Sequence, residues 1–144
     1  MFTALAPRLL PAYDLAVHRL TGGRLLPSSL LIDTVILITT GHRTGQQRAT
    51  PLCAHHGGDG SWLVVASNFG QPHHPAWSTN LLHTPTARLT HQNRTITVTA
   101  RQLTEEDKTL LRNRILTTVP IYDTYAARAR PHRDIRVFHL APHP

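Results

Sequence analysis

A mainly β domain with helical additions, closed or nearly closed into a six-stranded antiparallel barrel, is the fold class this sequence predicts. Six short runs rich in β-branched and apolar residues recur along the chain, joined for the most part by turn-sized connections, with few helical stretches between them. So many short strands in one flat sheet would expose long unpaired edges, and closure removes them. A chain of 144 residues suits one domain.

Residues 12–23 begin the pattern: Leu15, Ala16 and Leu20 recur at helical spacing before Gly22-Gly23, predicting an N-terminal amphipathic helix that packs on the core or touches a membrane surface. The barrel is expected over residues 34–142. Thr34 to Thr40 and Arg48 to His55 flank the turn Gly41-His42-Arg43-Thr44-Gly45 and read as a hairpin. Gly57-Gly58-Asp59-Gly60 turns the chain into a third strand, Ser61 to Ser67. A polar loop from Asn68 to Pro75 leads into a short helix, Ala76 to Leu82, that stops before Pro85. Thr86 to Thr90 and Thr95 to Gln102 pair around Gln92-Asn93. Thr104 followed by Glu105, Glu106 and Asp107 starts a helix of capping-box type, expected to run to about Leu116. A helix from Tyr122 to Ala129 and a last strand, Ile135 to Leu140, complete the domain.

Fifteen Lys and Arg against eight Asp and Glu give a formal net charge of +7, carried almost entirely by arginine, since Lys108 is the only lysine. Arginine suits bidentate capture of phosphate and carboxylate, so an anionic partner is expected. The single cysteine, Cys53, excludes an internal disulfide and any multi-cysteine zinc site and agrees with a cytoplasmic location. No stretch reaches the roughly 20 apolar residues of a membrane span, and Pro7, Arg8, Pro11 and Asp14 break up any signal peptide. The histidines include the adjacent pairs His55-His56 and His73-His74, without a carboxylate or cysteine at ligand spacing, and no metal site is expected. Ser28, Ser29 and Ser67 lack a nucleophile-elbow context.

Three groups of residues carry candidate chemistry. In Gly41 to Arg48, Arg43 and Arg48 flank glycine-bounded amides, and the amides of Thr44 and Gly45 are expected to aim at the anion those arginines hold; a plain solvated basic turn is the competing reading. Ala66-Ser67-Asn68-Phe69-Gly70 with Ala76, Trp77 and Asn80 suits a slot for a flat ring, although Trp77 taken alone reads first as a core aromatic. Tyr122 and Tyr125 share one helix face and present phenols, or simply pack.

In this order, Arg19-Leu20-Thr21-Gly22-Gly23-Arg24, Leu37-Ile38-Thr39-Thr40-Gly41-His42-Arg43-Thr44-Gly45 with Arg48 and Thr50-Pro51-Leu52, then Ala66-Ser67-Asn68-Phe69-Gly70 with His74-Pro75-Ala76-Trp77 and Asn80-Leu81, and finally Pro120, Tyr122 and Tyr125 form an ordered set. That set resembles the deazaflavin-dependent nitroreductase family, also called the F420-dependent quinone reductase family. The resemblance implies a split β-barrel related to FMN-binding domains. It implies coenzyme F420, with Arg43, Thr44, Arg48, Ala49, Thr50, Pro51, Leu52 and Cys53 at its phosphate and side chain. Val65, Ala66, Ser67 and Asn68 with Ala76, Trp77 and Asn80 would lie at its ring, and Ser67, Tyr122 and Tyr125 would face the acceptor. Hydride transfer from the reduced coenzyme to a quinone, enone or nitroaromatic is the implied reaction. His42 stands where arginine is common in that family and Arg43 where lysine is common, so a rearranged phosphate grip with its charge retained is expected; Val119 stands where some members place a tyrosine, which leaves nitroreduction open among the implied activities.

An FMN-binding reductase on the same barrel, a coenzyme-binding barrel without turnover and a basic nucleic-acid-binding barrel are the alternatives. The last lacks the alternating aromatic and basic strand faces of a stacking platform, so no nucleic-acid partner is expected. A small-molecule electron acceptor is the expected partner, with a homodimer and peripheral membrane contact left open.

Overall fold

The computed structural model describes residues 32–143. The expected helix at residues 12–23 lies outside that range. The strands are β1 (Ile32–Thr40), β2 (Gln47–His56), β3 (Trp62–Val65), β4 (Thr86–His91), β5 (Arg94–Gln102) and β6 (Val137–Pro142), with helices α1 (Ala76–His83), α2 (Glu105–Leu110), α3 (Arg112–Thr118) and α4 (Tyr122–Ala129). The strands close into an antiparallel barrel in the order β1-β2-β3-β6-β5-β4. The expected six-stranded barrel is therefore the observed one.

Local chemistry explains the turns. Gln92 and Asn93 both take left-handed backbone (φ 49° and 63°), as a two-residue hairpin with His91 paired to Arg94 requires. Asp59 Oδ1 accepts from Ser61 N–H and Oγ, which shapes the β2–β3 turn. Thr104 caps α2 reciprocally: Asp107 N–H donates to Thr104 Oγ1, and Thr104 N–H donates to Asp107 Oδ2.

Alternation along the strands divides the apolar residues between two cores. Val35, Leu37, Val64, Leu89, Val98, Phe138 and Leu140 fill the barrel, and Trp77 and Leu81 of α1 join them. Leu63, Val65 and Val137 point outward and are covered by Ile115 and Ala129 from the helices, with Leu103 and Ile135.

Several boundaries differ from expectation. The single helix expected from Thr104 to Leu116 is two, broken at Leu111 (φ −103°, ψ 17°), where the chain bends and Leu111 packs against the outer core. β3 is shorter than the expected strand, because beyond Val65 the chain leaves the sheet for the loop to α1. The last strand starts at Val137, since Ile135 is buried in the outer core and its carbonyl accepts from Lys108 Nζ at 2.7 Å.

The loop after β3 contains a single 3-10 turn, Asn68–Gly70, in which Asn68, Phe69 and Gly70 have φ of 43°, 57° and 73°. Left-handed backbone costs an L-residue about 1–2 kcal/mol, so this turn persists only where surrounding bonds fix it. Asn68 Nδ2 donates to His73 O, and Arg128 Nη1 donates to Phe69 O. Phe69 stays largely exposed with its ring edge-on to Tyr125.

Two stability predictions follow from this packing. A Cβ at Gly70 would stand 2.9 Å from Tyr125 O and 3.0 Å from its Cα, on top of the left-handed backbone. Gly70→Ala should therefore lose about 2–4 kcal/mol, read by thermal unfolding; a variant as stable as the parent would show that α4 does not press on this turn. The second prediction concerns acid. Burial, then Arg114 and His56, holds His55 below the ordinary imidazole value; burial, then Arg136 and Arg133, does so at His74, and burial, then Arg101, at His139. The unfolded chain binds these protons more readily, so stability is full above the ordinary imidazole value of about 6.5 and declines as pH drops below it. Each of the three contributes a slope of at most about 1.4 kcal/mol per pH unit. The urea midpoint should fall between about pH 7 and pH 5, and an unchanged midpoint would contradict it.

Candidate functional site

The turn between β1 and β2 is built from its own backbone. Gly41 N–H donates to Gln46 O at 2.7 Å and Gly45 N–H to Gly41 O at 2.8 Å, while Gln46 N–H reaches Thr44 Oγ1 at 3.2 Å. Gly45 supplies the left-handed residue (φ 74°) the reversal needs. A Cβ at Gly41 would lie 3.0 Å from Thr44 Oγ1 and 3.1 Å from Gln46 O. One expectation is corrected here: the Gly45 amide does not face an outside anion, because closing the hairpin consumes it.

Asn80 of α1, 2% exposed, fastens this turn to the helix. Its Oδ1 accepts from His42 N–H at 3.0 Å and contacts His42 Nδ1 at 2.7 Å, and its Nδ2 donates to Thr39 Oγ1 at 3.0 Å. A backbone N–H can only donate, so the atom it meets is the carbonyl oxygen, and Nδ1 of His42 is the donor in the second bond. The His42 ring also stacks on His83 at the end of α1, with centroids 5.4 Å apart and planes 20° apart.

Turn and helix enclose a cleft of about 760 Å³ on the outside of the barrel, within the size range of cofactor sites. Its floor is a row across three strands, Ala49 of β2, Ile38 of β1 and Arg88 of β4, which lie opposite one another in register. Arg43, Thr44 and Arg48 form one side and Ala76, Trp77 and Asn80 the other, and Thr50 completes the lining. Three arginines face the cleft, and none of the residues lining it is acidic. Trp77 satisfies both of its readings: it is 6% exposed, packs against Phe138 at 6.0 Å, and still lines the cleft.

The remaining candidate residues lie apart from the cleft lining. Pro51, Leu52 and Cys53 continue along β2, with Leu52 turned onto the barrel core. Val65 belongs to the outer core and Ala66 to the barrel core. The carbonyls of Ala66 and Ser67 accept from Arg133 Nη1 at 3.1 Å and Nη2 at 2.9 Å, and Gln71 O accepts from its Nε at 3.0 Å. Tyr122 and Tyr125 do share a face of α4, and both pack against the outer core. Tyr125 is the nearer to the strand end, through Phe69 and the backbone of Gly70. Burial, followed by Glu105 and Asp123, pushes the Tyr122 phenol up, so it holds its proton through neutral pH.

Sequence reasoning missed Arg88, Arg133 and Arg136. The alternation of Ala87 and Leu89 into the core already put Arg88 on the outer face, but its cleft appears only when β4 closes on β1. Arg133 and Arg136, which donates to Ser78 Oγ and Thr79 Oγ1, carry no local signal. Among the described residues no three His, Cys, Asp or Glu side chains converge as a metal site, and no helix is long and apolar enough to cross a membrane.

Comparison with known proteins bears on the family and the fold. An F420H(2)-dependent quinone reductase of Mycobacterium tuberculosis is 35% identical over 106 residues, covering 69% of this chain and 66% of that relative, slightly under two thirds of its length. The solved structure of an F420-H2 dependent reductase superposes with a TM-score of 0.63 at 30% identity, covering 76% of this chain and 93% of its own. A structure described as a domain-swapped dimer superposes with a TM-score of 0.64 at 26% identity, covering 90% of this chain and 96% of its own. The family model for the F420H(2)-dependent quinone reductase matches residues 14–142, and with the barrel and cleft described above, this chain belongs to that family.

Proposed function

We propose that this chain binds reduced coenzyme F420 in the cleft and directs its hydride to a quinone-type acceptor. The single observation that carries the reading is the cleft itself, lined by Arg43, Arg48 and Arg88, free of carboxylates and walled by Trp77. That lining fits a ligand with a phosphate at one end and a flat ring at the other. Family membership favours the deazaflavin over FMN, although the same lining suits both.

Bound there, the reduced coenzyme supplies a hydride from C5 of its ring. The chain does the rest. Arg43 and Arg48 neutralise the phosphate, and Arg88 extends the same field along the floor. Ala49 and Thr50, followed along β2 by Pro51 and Cys53, line the path of the cofactor's side chain, and Leu52 anchors that stretch on the barrel core. Asn80 keeps turn and helix in register, Ala76 and Trp77 wall the ring, and the buried Val65 and Ala66 hold Ser67 and Asn68 in place at the end of β3 beside it. Ser67, Tyr122 and Tyr125 face the acceptor, and a phenol that keeps its proton can donate to the oxygen on which negative charge develops. A homodimer in a reducing, cytoplasmic setting is the assembly we infer, supported by the domain-swapped neighbour and the lone Cys53; a monomer mass in sedimentation would refute the dimer.

Fluorescence titration with F420 and, separately, with FMN at matched ionic strength tests the cofactor. Saturable binding of F420 alone is expected, and binding of FMN alone would replace the cofactor while keeping the cleft. Arg43→Ala combined with Arg48→Ala should weaken F420 binding by about 10²-fold or more, two charge-assisted contacts of at least about 1.5 kcal/mol each, with an unchanged circular-dichroism spectrum. Unaltered affinity would remove the phosphate assignment. Tyr122→Phe should lower kcat by about tenfold or more while leaving the coenzyme Kd within about twofold; equal effects on both would show that the phenol serves packing only.

A further inference from the structure

We propose that His42 is a proton-linked ligand of the anion in the cleft, so that anion binding and protonation of this imidazole at Nε2 favour one another. The inference rests on the proposed coenzyme reading only for the identity of the anion.

The tautomer is fixed by geometry. His42 lines the cleft, and its Nδ1 is the donor to Asn80 Oδ1, because that oxygen already accepts His42 N–H. Asn80 has no alternative orientation that serves both bonds. In the uncharged ring, Nε2 is then a bare acceptor, which an anion repels. Only the imidazolium can donate from Nε2 to a phosphate oxygen. An anion seated among the arginines therefore selects the protonated ring.

The groups around His42 set the strength of this linkage. Arg43 and Arg48 approach from the turn and β2, Arg88 from β4, and His83 stacks on the ring from α1; Thr44, Gln47 and Asn80 are the neutral polar neighbours. No carboxylate in the lining offsets these cations. An anion reverses that field where it is seated. By linkage, whatever raises proton affinity when the anion binds must raise anion affinity when the proton binds. An arginine at this position would hold its charge at every working pH. A histidine instead makes the grip on the coenzyme respond to pH within the physiological range.

Two measurements test this. The first is F420 affinity by fluorescence titration at about pH 6 and about pH 8, for the parent and for His42→Asn. Asparagine keeps a donor near the Nδ1 position for Asn80 and removes the titrating nitrogen. Ionisation of the coenzyme itself is common to both proteins and cancels in the ratio of their dissociation constants. The variant should bind about tenfold more weakly than the parent near pH 6 and within about twofold of it near pH 8. The second is the titration midpoint of the His42 ring by NMR, with and without sodium sulfate, an anion that does not titrate in this range. Sulfate should raise the midpoint in the full-length protein.

A ratio that stays constant between the two pH values overturns the proposal. Should F420 fail to bind at either pH, the coenzyme reading falls, and the sulfate titration decides the matter alone: a raised midpoint upholds His42 as an anion ligand, and an unmoved one removes it.

Discussion

The cleft depends on one buried cation. Arg133 is 7% exposed, and its guanidinium donates to the carbonyls of Ala66, Ser67 and Gln71, with His74 Nδ1 at 3.4 Å. A buried charge is tolerated only where its donors are satisfied. Here backbone carbonyls do this, so the cation holds together the main chain at the end of β3 and the loop that leads to α1. Carbonyls left without a partner in such surroundings cost about 1–3 kcal/mol each. The loop geometry and the buried charge therefore require one another. The left-handed turn at Asn68 to Gly70 is fixed between two of these carbonyls, and α1 begins shortly after the third. Arg136 extends the same device to Ser78 and Thr79 on the helix.

From that anchored helix, Asn80 reaches back to the β1–β2 turn, and the two elements become the walls of one site. The arrangement concentrates Arg43, Arg48 and Arg88 without a compensating carboxylate. Such a cluster contributes nothing to folding and opposes it through mutual repulsion. Its stability is borrowed from the barrel core and from the Asn80 and Arg133 networks. An anionic ligand seated among these arginines would relieve the repulsion that folding must overcome, so the charges that oppose folding are those that would favour such a ligand.

What was legible in the sequence was the local part. The Gln92-Asn93 hairpin, the reciprocal cap at Thr104 and the helix from Tyr122 to Ala129 depend on neighbouring residues and could be read from them. The ordered motifs also identified the family correctly. The break at Leu111 could not be read, because it follows from an apolar side chain reaching a core assembled elsewhere. Arg133 looked like any other arginine in a basic tail, and its acceptors lie more than sixty residues away in sequence. For the Gly45 amide the residue type was read properly and its bond was not: a glycine that can present its N–H to an anion can equally use it to close the turn. Ser67 and the two tyrosines lie beyond the cleft lining, beside the turn after β3 and on α4, a separation that spacing along the chain does not show.

The position of the cleft outside the barrel follows from the barrel's size. A six-stranded barrel has an interior that side chains alone fill, and here Leu37, Val64, Leu89, Phe138 and Leu140 fill it while Trp77 and Leu81 of α1 add to the same core. No planar cofactor can enter such a space, so a ligand must bind on an outer face. On β3 and β6 the outward residues are Leu63, Val65 and Val137, and α3 and α4 cover them. Over β1, β2 and β4 the outward row Ile38, Ala49 and Arg88 lines the cleft. Alternation along the strands thus does two things at once. It fills the barrel, and among the described residues it separates an outer apolar face that α3 and α4 cover from the row that lines the cleft.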